Sequence, residues 1–185
     1  MTTVTGDANV LGAVAQILVD ETTGAIADAV GQSASAAAAL SALAHFLDRP
    51  TLDQLHEVLG LTPSGAVRLV DRLVELGFVQ RRRGDDGRSR AVVLTARGQK
   101  AAVRVAAARA EVLNRALDDL SATERETLHR LLGKVMSRLV KDKDGGAWIC
   151  RLCDTEACGR DAGLCPTANA AAVKYGSEAV RSVER

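Results

Sequence analysis

The chain has 185 residues, enough to bury one hydrophobic core, alone or with a small appended segment. Aromatic residues make up only 2% of it, and its apolar residues are mostly Ala, Val and Leu, so a mainly helical protein is expected. The net charge of +1 excludes a uniformly basic protein, and phosphate binding would have to rely on a local basic cluster.

The N-terminal segment MTTVTGDANV has neither the basic start nor the long apolar core of a signal peptide. No apolar run approaches the length needed to cross a bilayer, so no membrane contact is expected. These features predict a cytoplasmic protein. Reducing conditions there disfavour structural disulfides, which turns attention to metal binding or redox chemistry at the cysteines.

The first predicted elements are two helices, over about residues 10–30 and 33–47, the second ending before Pro50. A helix-turn-helix follows. Thr51 begins its first helix with capping-box spacing. The turn GLTPS follows, and the second helix runs from Thr62 to Gly77, the glycine that ends it.

A basic hairpin is predicted directly after the helix-turn-helix. FVQRRR and RAVVLT have strand character and are joined by GDDGRS, and Val92 and Leu94 alternate with small or polar neighbours. Residues 81–90 carry five arginines against two aspartates. An arginine-rich hairpin in this place is typical of the wing of a winged helix.

Residues 95–142 are predicted to be helical again, with a break at the capping box SATE. Their apolar stripes exceed what so small a core can cover. Two alternatives follow: the helices fold back on the first helix within one chain, or, as we favour, they pack against a second copy. The expected fold is mainly α (α+β), a winged helix-turn-helix with flanking helices and a small cysteine tail. The expected segments are an N-terminal dimerisation helix, a DNA-binding domain, C-terminal dimerisation helices, a four-cysteine segment and a tail: 1–32, 33–98, 99–142, 143–170 and 171–185.

The second helix of the helix-turn-helix is predicted to enter the major groove of DNA. Its apolar residues Val67, Val70, Leu73 and Val74 are expected to face the core. Ser64 can hold a phosphate at the helix N-terminus, and an arginine at position 68 can read guanine, worth ~1–3 kcal/mol of discrimination. The candidate DNA-binding residues of helix and hairpin are Thr62, Ser64, Gly65, Arg68, Arg72, Arg82, Arg83, Asp86, Arg88 and Arg90.

The segment LVDRLVELGFVQRRRGDDGRSRAVVLTARGQ resembles the recognition helix and wing of the MarR family of bacterial transcriptional regulators. The wing pattern of that family falls on residues 86–98, and the resemblance covers about residues 10–142. It implies a homodimer on a pseudo-palindromic operator in double-stranded DNA, in the nucleoid. It also implies repression relieved by a small molecule or oxidant. In such a wing Asp86 and Arg88 pair, and the arginine reaches the minor groove.

All four cysteines lie in CRLCDTEACGRDAGLCP, beyond the region of resemblance, at Cys150, Cys153, Cys158 and Cys165. Their C-x2-C-x4-C-x6-C spacing fits a structural zinc ion. It equally fits an iron–sulfur cluster, which also takes four thiolates. A metal-free switch, in which the first two thiols form a disulfide, is the third alternative. Trp148 and Ile149 are expected to pack this segment onto the dimer helices.

The sequence contains no Ser/His/Asp set, Walker loop or paired-carboxylate constellation, so an enzyme is not expected. Two rival functions stay open beside the regulator. One is a thiol or iron–sulfur redox protein whose helical part binds a partner. The other is an architectural DNA binder with a purely structural zinc.

Overall fold

The structure, a computed structural model, describes residues 3–84, 89–140 and 147–176, leaving aside the side chains of 147 and 148. Two residues predicted to shape the wing, Asp86 and Arg88, lie outside this description, as does the side chain of Trp148. The described residues form eight α-helices and two β-strands. In chain order these are α1 Gly6–Val30, α2 Ala34–His45, α3 Leu52–Leu59, α4 Pro63–Glu75, β1 Val79–Arg83, β2 Arg90–Leu94, α5 Ala96–Arg115, α6 Ala122–Leu139, α7 Ala147–Cys150 and α8 Pro166–Tyr175.

Side-chain caps begin the helices where the sequence indicates. Thr51 and Ser121 each form a complete capping box, and the Thr62 hydroxyl accepts a hydrogen bond from the N–H of Gly65. Helix α1 starts at Gly6, four residues before its predicted start, because the Thr5 hydroxyl caps it by accepting from Ala8.

The winged helix is built around one core shared by α2, α3, α4 and the hairpin. Its most enclosed side chains include Leu40, Leu55 and Leu73. Strands β1 and β2 pair antiparallel from Val79–Leu94 to Arg83–Arg90. This arrangement confirms the predicted mainly helical winged helix-turn-helix.

The predicted inward face of α4 is wrong at two positions. Val67 and Val74 are 41% and 37% exposed, whereas Ala66, Val70 and Leu73 are buried. A helix places residues four and three apart on one side, so 66, 70 and 73 already complete the buried stripe. The two exposed valines are seven residues apart and share the solvent side.

Helix α1 corrects the expectation that nothing could cross a membrane. By length and composition alone, Gly6–Val30 is long and apolar enough to do so. The expectation failed because it sought an unbroken apolar run, whereas this helix stays apolar on average around its few carboxylates. In the fold, Ile26 and Val30 are buried, and α1 packs along α5 and α2.

One close contact joins the wing to the long helix α5. The Thr95 hydroxyl donates to the carbonyl of Gly77 at 2.6 Å, and the N–H of Gly98 donates to the same hydroxyl at 3.0 Å. The backbone of Gly98 lies so near Phe78 that an added Cβ would come within 1.9 Å of its carbonyl oxygen. Only glycine fits at this position without a backbone shift.

We therefore expect Gly98→Ala to destabilise the protein by about 1–3 kcal/mol or more, because the clash is with backbone rather than a movable side chain. The matched control is Gly24→Ala in α1, where a Cβ meets no heavy atom within 4 Å. That change should stabilise the helix by roughly 0.5–1 kcal/mol. Urea unfolding of the three proteins measures both effects. A Gly98→Ala midpoint equal to that of the parent would contradict the proposed contact.

Candidate nucleic-acid interface and cysteine cluster

The N-terminus of α4 is an exposed polar surface. Thr62 caps the helix, its Oγ1 lying 3.1 Å from the N of Gly65 and 3.4 Å from the Oγ of Ser64. Thr62 and Ser64 are exposed, and Gly65 is half-buried. Because unpaired N–H groups and the helix dipole make such an end electropositive, it suits a phosphate.

The solvent side of α4 combines charge with apolar surface. Arg68 and Arg72 are both exposed, as predicted. The exposed Val67 beside them is a candidate that sequence reasoning missed. A methyl-bearing side chain can contact the methyl group of thymine, while an arginine next to it can reach guanine. The signal was available in the spacing of the three buried residues, which leaves no inward place for Val67.

An ion pair fixes the wing to the recognition helix. Arg81 on β1 donates from Nη2 to Oδ1 of Asp71 on α4 at 2.6 Å. No local sequence pattern indicates this pair, since its partners are ten residues apart on different elements. Behind the hairpin, Nη2 of Arg49 donates to the carbonyl of Arg83 at 2.9 Å. These two bonds hold the orientation of the wing relative to α4.

The wing brings three of the predicted arginines together. Arg82, Arg83 and Arg90 are all exposed, and Arg83 lies directly opposite Arg90 in the strand register. This cluster of exposed cations suits contact with a phosphate chain, so the wing has the electrostatics of a DNA contact.

The cysteine segment is docked on the winged helix. Helix α7 packs against α3, and the hydroxyl of Thr155 donates to the carbonyl of His45 at 3.2 Å. Leu152 packs against two hydrophobic clusters, one in the helix-turn-helix and one formed by α1, α2 and α5. The segment thus touches the DNA-binding part, while the packing of Trp148 and Ile149 onto the dimer helices stays a prediction.

The four thiols interact with one another. Cys150 is buried and hydrogen-bonded to Cys153 and Cys165, which raises its pKa far above the usual range of a thiol. The same bonds with Cys150 lower the pKa of Cys153 to about 7 and that of Cys165 to about 5. Burial raises the pKa of Cys158 to about 11, and Cys158 also contacts Cys165. Two thiols are thus poised as thiolates, the form that binds metals.

Closeness of the thiols in the chain is not the same as an arrangement of side chains that can hold a metal ion. Among the described residues, no group of three or more His, Cys, Asp or Glu side chains stands in an arrangement ready to hold a metal ion. Two cations lie nearby and favour thiolates: Arg160, whose Nη1 is 3.8 Å from the sulfur of Cys150, and Arg109, which acts on Cys153. Thiolate sulfur is in general a ligand for soft metals.

Comparisons with known proteins bear on the winged helix. The model of the MarR family matches residues 22–89. The chain is similar to the structure of RV1404 from Mycobacterium tuberculosis, with 26% identity and a TM-score of 0.61, over 70% of this chain and 89% of that one. No curated protein matches the sequence.

Two further structures carry the family name. The MarR family protein RV2887 of Mycobacterium tuberculosis, in complex with p-aminosalicylic acid, is 25% identical, with a TM-score of 0.54 over 69% of this chain and 95% of that one. A MarR-family transcriptional regulator from Rhodococcus sp. RHA1, 19% identical, shares the fold with a TM-score of 0.54 over 68% and 90% of the two chains. The winged helix of this chain therefore resembles that of MarR-family transcriptional regulators, with the family model matching residues 22–89 and the cysteine segment lying beyond them.

Proposed function

We propose that this protein is a homodimeric repressor that binds a pseudo-palindromic operator in double-stranded DNA, and whose C-terminal thiols hold a metal centre that adjusts this binding. The observation that carries the proposal is the exposed N-terminal half of α4, with Arg68 at its centre, beside a basic wing that the Arg81–Asp71 ion pair orients. Helix and wing form two electropositive surfaces that can engage adjacent grooves of one duplex. Such a protein would act in the cytoplasm, at the nucleoid.

The apolar surfaces of the flanking helices support the dimer. The first half of α1 exposes Val10, Leu11, Val14 and Ile17. Helix α6 has no buried residue within this chain, yet exposes Leu131, Leu132, Val135 and Leu139. Contiguous apolar surface of this kind marks a protein interface. A second copy covers both helices and gives the two-fold symmetry that a pseudo-palindromic operator matches.

The proposed division of labour follows the predicted segments. Residues 1–32 and 99–142 serve dimerisation, and residues 33–98 bind DNA. The cysteine segment was predicted to span 143–170, followed by a tail. Helix α8 runs from Pro166 to Tyr175 across that boundary, so the thiols and this helix belong to one unit.

The charge around a cleft between α1 and α5 bears on the effector. A cleft of about 460 Å³ lies between α1 and α5, and its lining includes Asp20, Glu21, Asp28 and Glu111, with Arg115 paired to two of these carboxylates. Four carboxylates against one arginine disfavour an organic anion such as the p-aminosalicylic acid bound to RV2887. We therefore assign the sensory role to the thiols.

The proposed metal centre is either one zinc ion held by four thiolates or an iron–sulfur cluster with the same ligands. Either would stabilise a segment with few buried side chains of its own. Oxidation of Cys150 and Cys153 to a disulfide, with loss of two electrons and two protons to an oxidant, is the metal-free alternative. With zinc, an iron–sulfur cluster or a disulfide, the protein would respond to a metal or an oxidant.

For DNA binding, we expect Arg88→Ala to weaken operator binding strongly, by on the order of tenfold or more, through loss of a minor-groove contact. Arg68→Ala should cost ~1–3 kcal/mol at the operator and relax sequence preference more than it lowers non-specific binding. Gel-shift titrations against operator and scrambled duplexes at several salt concentrations measure both effects.

The matched control for these two variants is Arg104→Ala, an exposed arginine on α5 away from helix and wing. All three variants should sediment as dimers. If Arg88→Ala binds the operator as tightly as the parent, the wing has no part in DNA recognition. If Arg104→Ala loses as much affinity, the loss comes from net charge and not from a specific contact.

For the metal centre, we expect four cysteine thiolates to bind each centre in the freshly purified protein. A brown protein with a broad band at the edge of the visible range identifies an iron–sulfur cluster, and a colourless protein with one zinc per chain identifies a zinc site. Cys158→Ser should lower the metal content in both cases. Operator affinity that is identical for anaerobic, air-exposed and Cys158→Ser protein would contradict the sensory role and leave a structural centre.

A further inference from the structure

The side of α4 that faces the wing carries an exposed valine. At about 100° per residue, Val67 lies within about 60° of both Ser64 and Asp71 around the helix axis. Asp71 marks this side, because its Oδ1 is 2.6 Å from Nη2 of Arg81 on the wing. Arg68 follows Val67 and is exposed roughly 100° further round the helix. Val67 thus stands between the capped N-terminus of α4 and the ion pair to the wing, beside the arginine expected to read guanine.

Within the described part of the chain, Val67 takes no part in the core of the winged helix. It is 41% exposed, and the buried stripe of α4 is complete without it. The half-buried side chains that pack against this core include Leu61 and Leu69 but not Val67. Branching at Cβ also makes valine a poorer helix former than alanine or a long straight side chain. Neither packing nor helix propensity accounts for this residue, so its apolar surface is available to a partner.

The stiffness of valine suits it to a contact in the major groove. In a helix one χ1 rotamer dominates, so both methyl groups have nearly fixed positions before DNA binds and little entropy is lost on binding. The neighbouring hydroxyl, arginine and ion pair disfavour a broad apolar partner. A small apolar group set among hydrogen-bond acceptors and phosphates fits these surroundings. The 5-methyl group of thymine is such a feature of the major groove.

We propose that Val67 is a specificity-determining residue, which contacts the 5-methyl group of one thymine in each half-site while Arg68 reads a guanine nearby. This inference rests on the proposed operator binding and adds which base one side chain selects. The ion pair between Asp71 and Arg81 supports the contact in two ways. It neutralises a carboxylate one turn from the valine, which would otherwise repel phosphates, and it holds β1 beside α4.

Removal of one methyl group from the DNA tests the contact. The preferred duplex is first selected from a random double-stranded pool with the full-length protein. Each thymine of that duplex is then replaced, in both half-sites, by deoxyuridine, which pairs with adenine in the same way and lacks only the 5-methyl group. With the parent protein, replacement at one position should weaken binding roughly fourfold per half-site, the effect of exposing one methyl-sized group.

The matched variants are Val67→Ala and Val74→Ala. Both remove two methyl groups from exposed positions of the same helix, which are 41% and 37% exposed. Val74 lies about two turns nearer the C-terminus, away from the end of a recognition helix that contacts bases. Val67→Ala should bind the thymine and deoxyuridine duplexes with nearly equal affinity, whereas Val74→Ala should keep the preference of the parent. Val67→Thr, which keeps one methyl group and the branched Cβ, should retain part of that preference.

The outcomes separate this inference from the proposed function. If no sequence is enriched from the pool, the protein is not a sequence-specific regulator, and both proposals are wrong. If a sequence is enriched but deoxyuridine is tolerated at every position, or if Val67→Ala keeps the preference of the parent, the thymine contact alone is wrong. Loss of the preference in Val74→Ala as well would also overturn the contact, because the effect would then come from the helix as a whole. A preference lost in Val67→Ala and kept in Val74→Ala supports it.

Discussion

The geometry of this protein depends on the packing of Gly98 against the carbonyl of Phe78, under the hydroxyl of Thr95. The end of the recognition helix, the base of the wing and the start of α5 meet at this point. The Thr95 hydroxyl accepts from α5 and donates to the chain that leaves α4, so a single side chain sets the angle between the DNA-binding part and the long helix. A fixed spacing between two DNA-binding lobes would require this angle to be rigid.

Local chemistry made most of the fold predictable. Capping residues and terminating glycines marked the helix boundaries around the turn, because each satisfies backbone groups within four residues of itself. The hairpin followed from strand patterning, and its arginines from composition. The start of α1 was missed because Thr5, one of three threonines at the start of the chain and followed by a glycine, carries little signal for an N-cap.

What the sequence could not predict depends on contacts between distant segments. Val67 was placed inside because apolar character alone does not state which side of a helix is already filled. The Arg81–Asp71 ion pair requires knowledge of how β1 crosses α4. The docking of Thr155 on His45 joins residues 110 positions apart, and no local pattern announces it. Cysteine spacing carried no information about where the segment packs, which is against α3.

The unburied α6 has a consequence for how much of this protein is folded in a cell. An isolated helix of 18 residues with few tertiary contacts is only marginally stable in water. Its order therefore comes from α8 on one side and, in the proposed assembly, from the second chain on the other. Since association stabilises a fold by mass action, dilution would unravel this helix before the winged core. In the proposed dimer, the stability of this helix would depend on protein concentration. Chains present at low concentration would be mostly monomeric, and proteases would cleave them sooner.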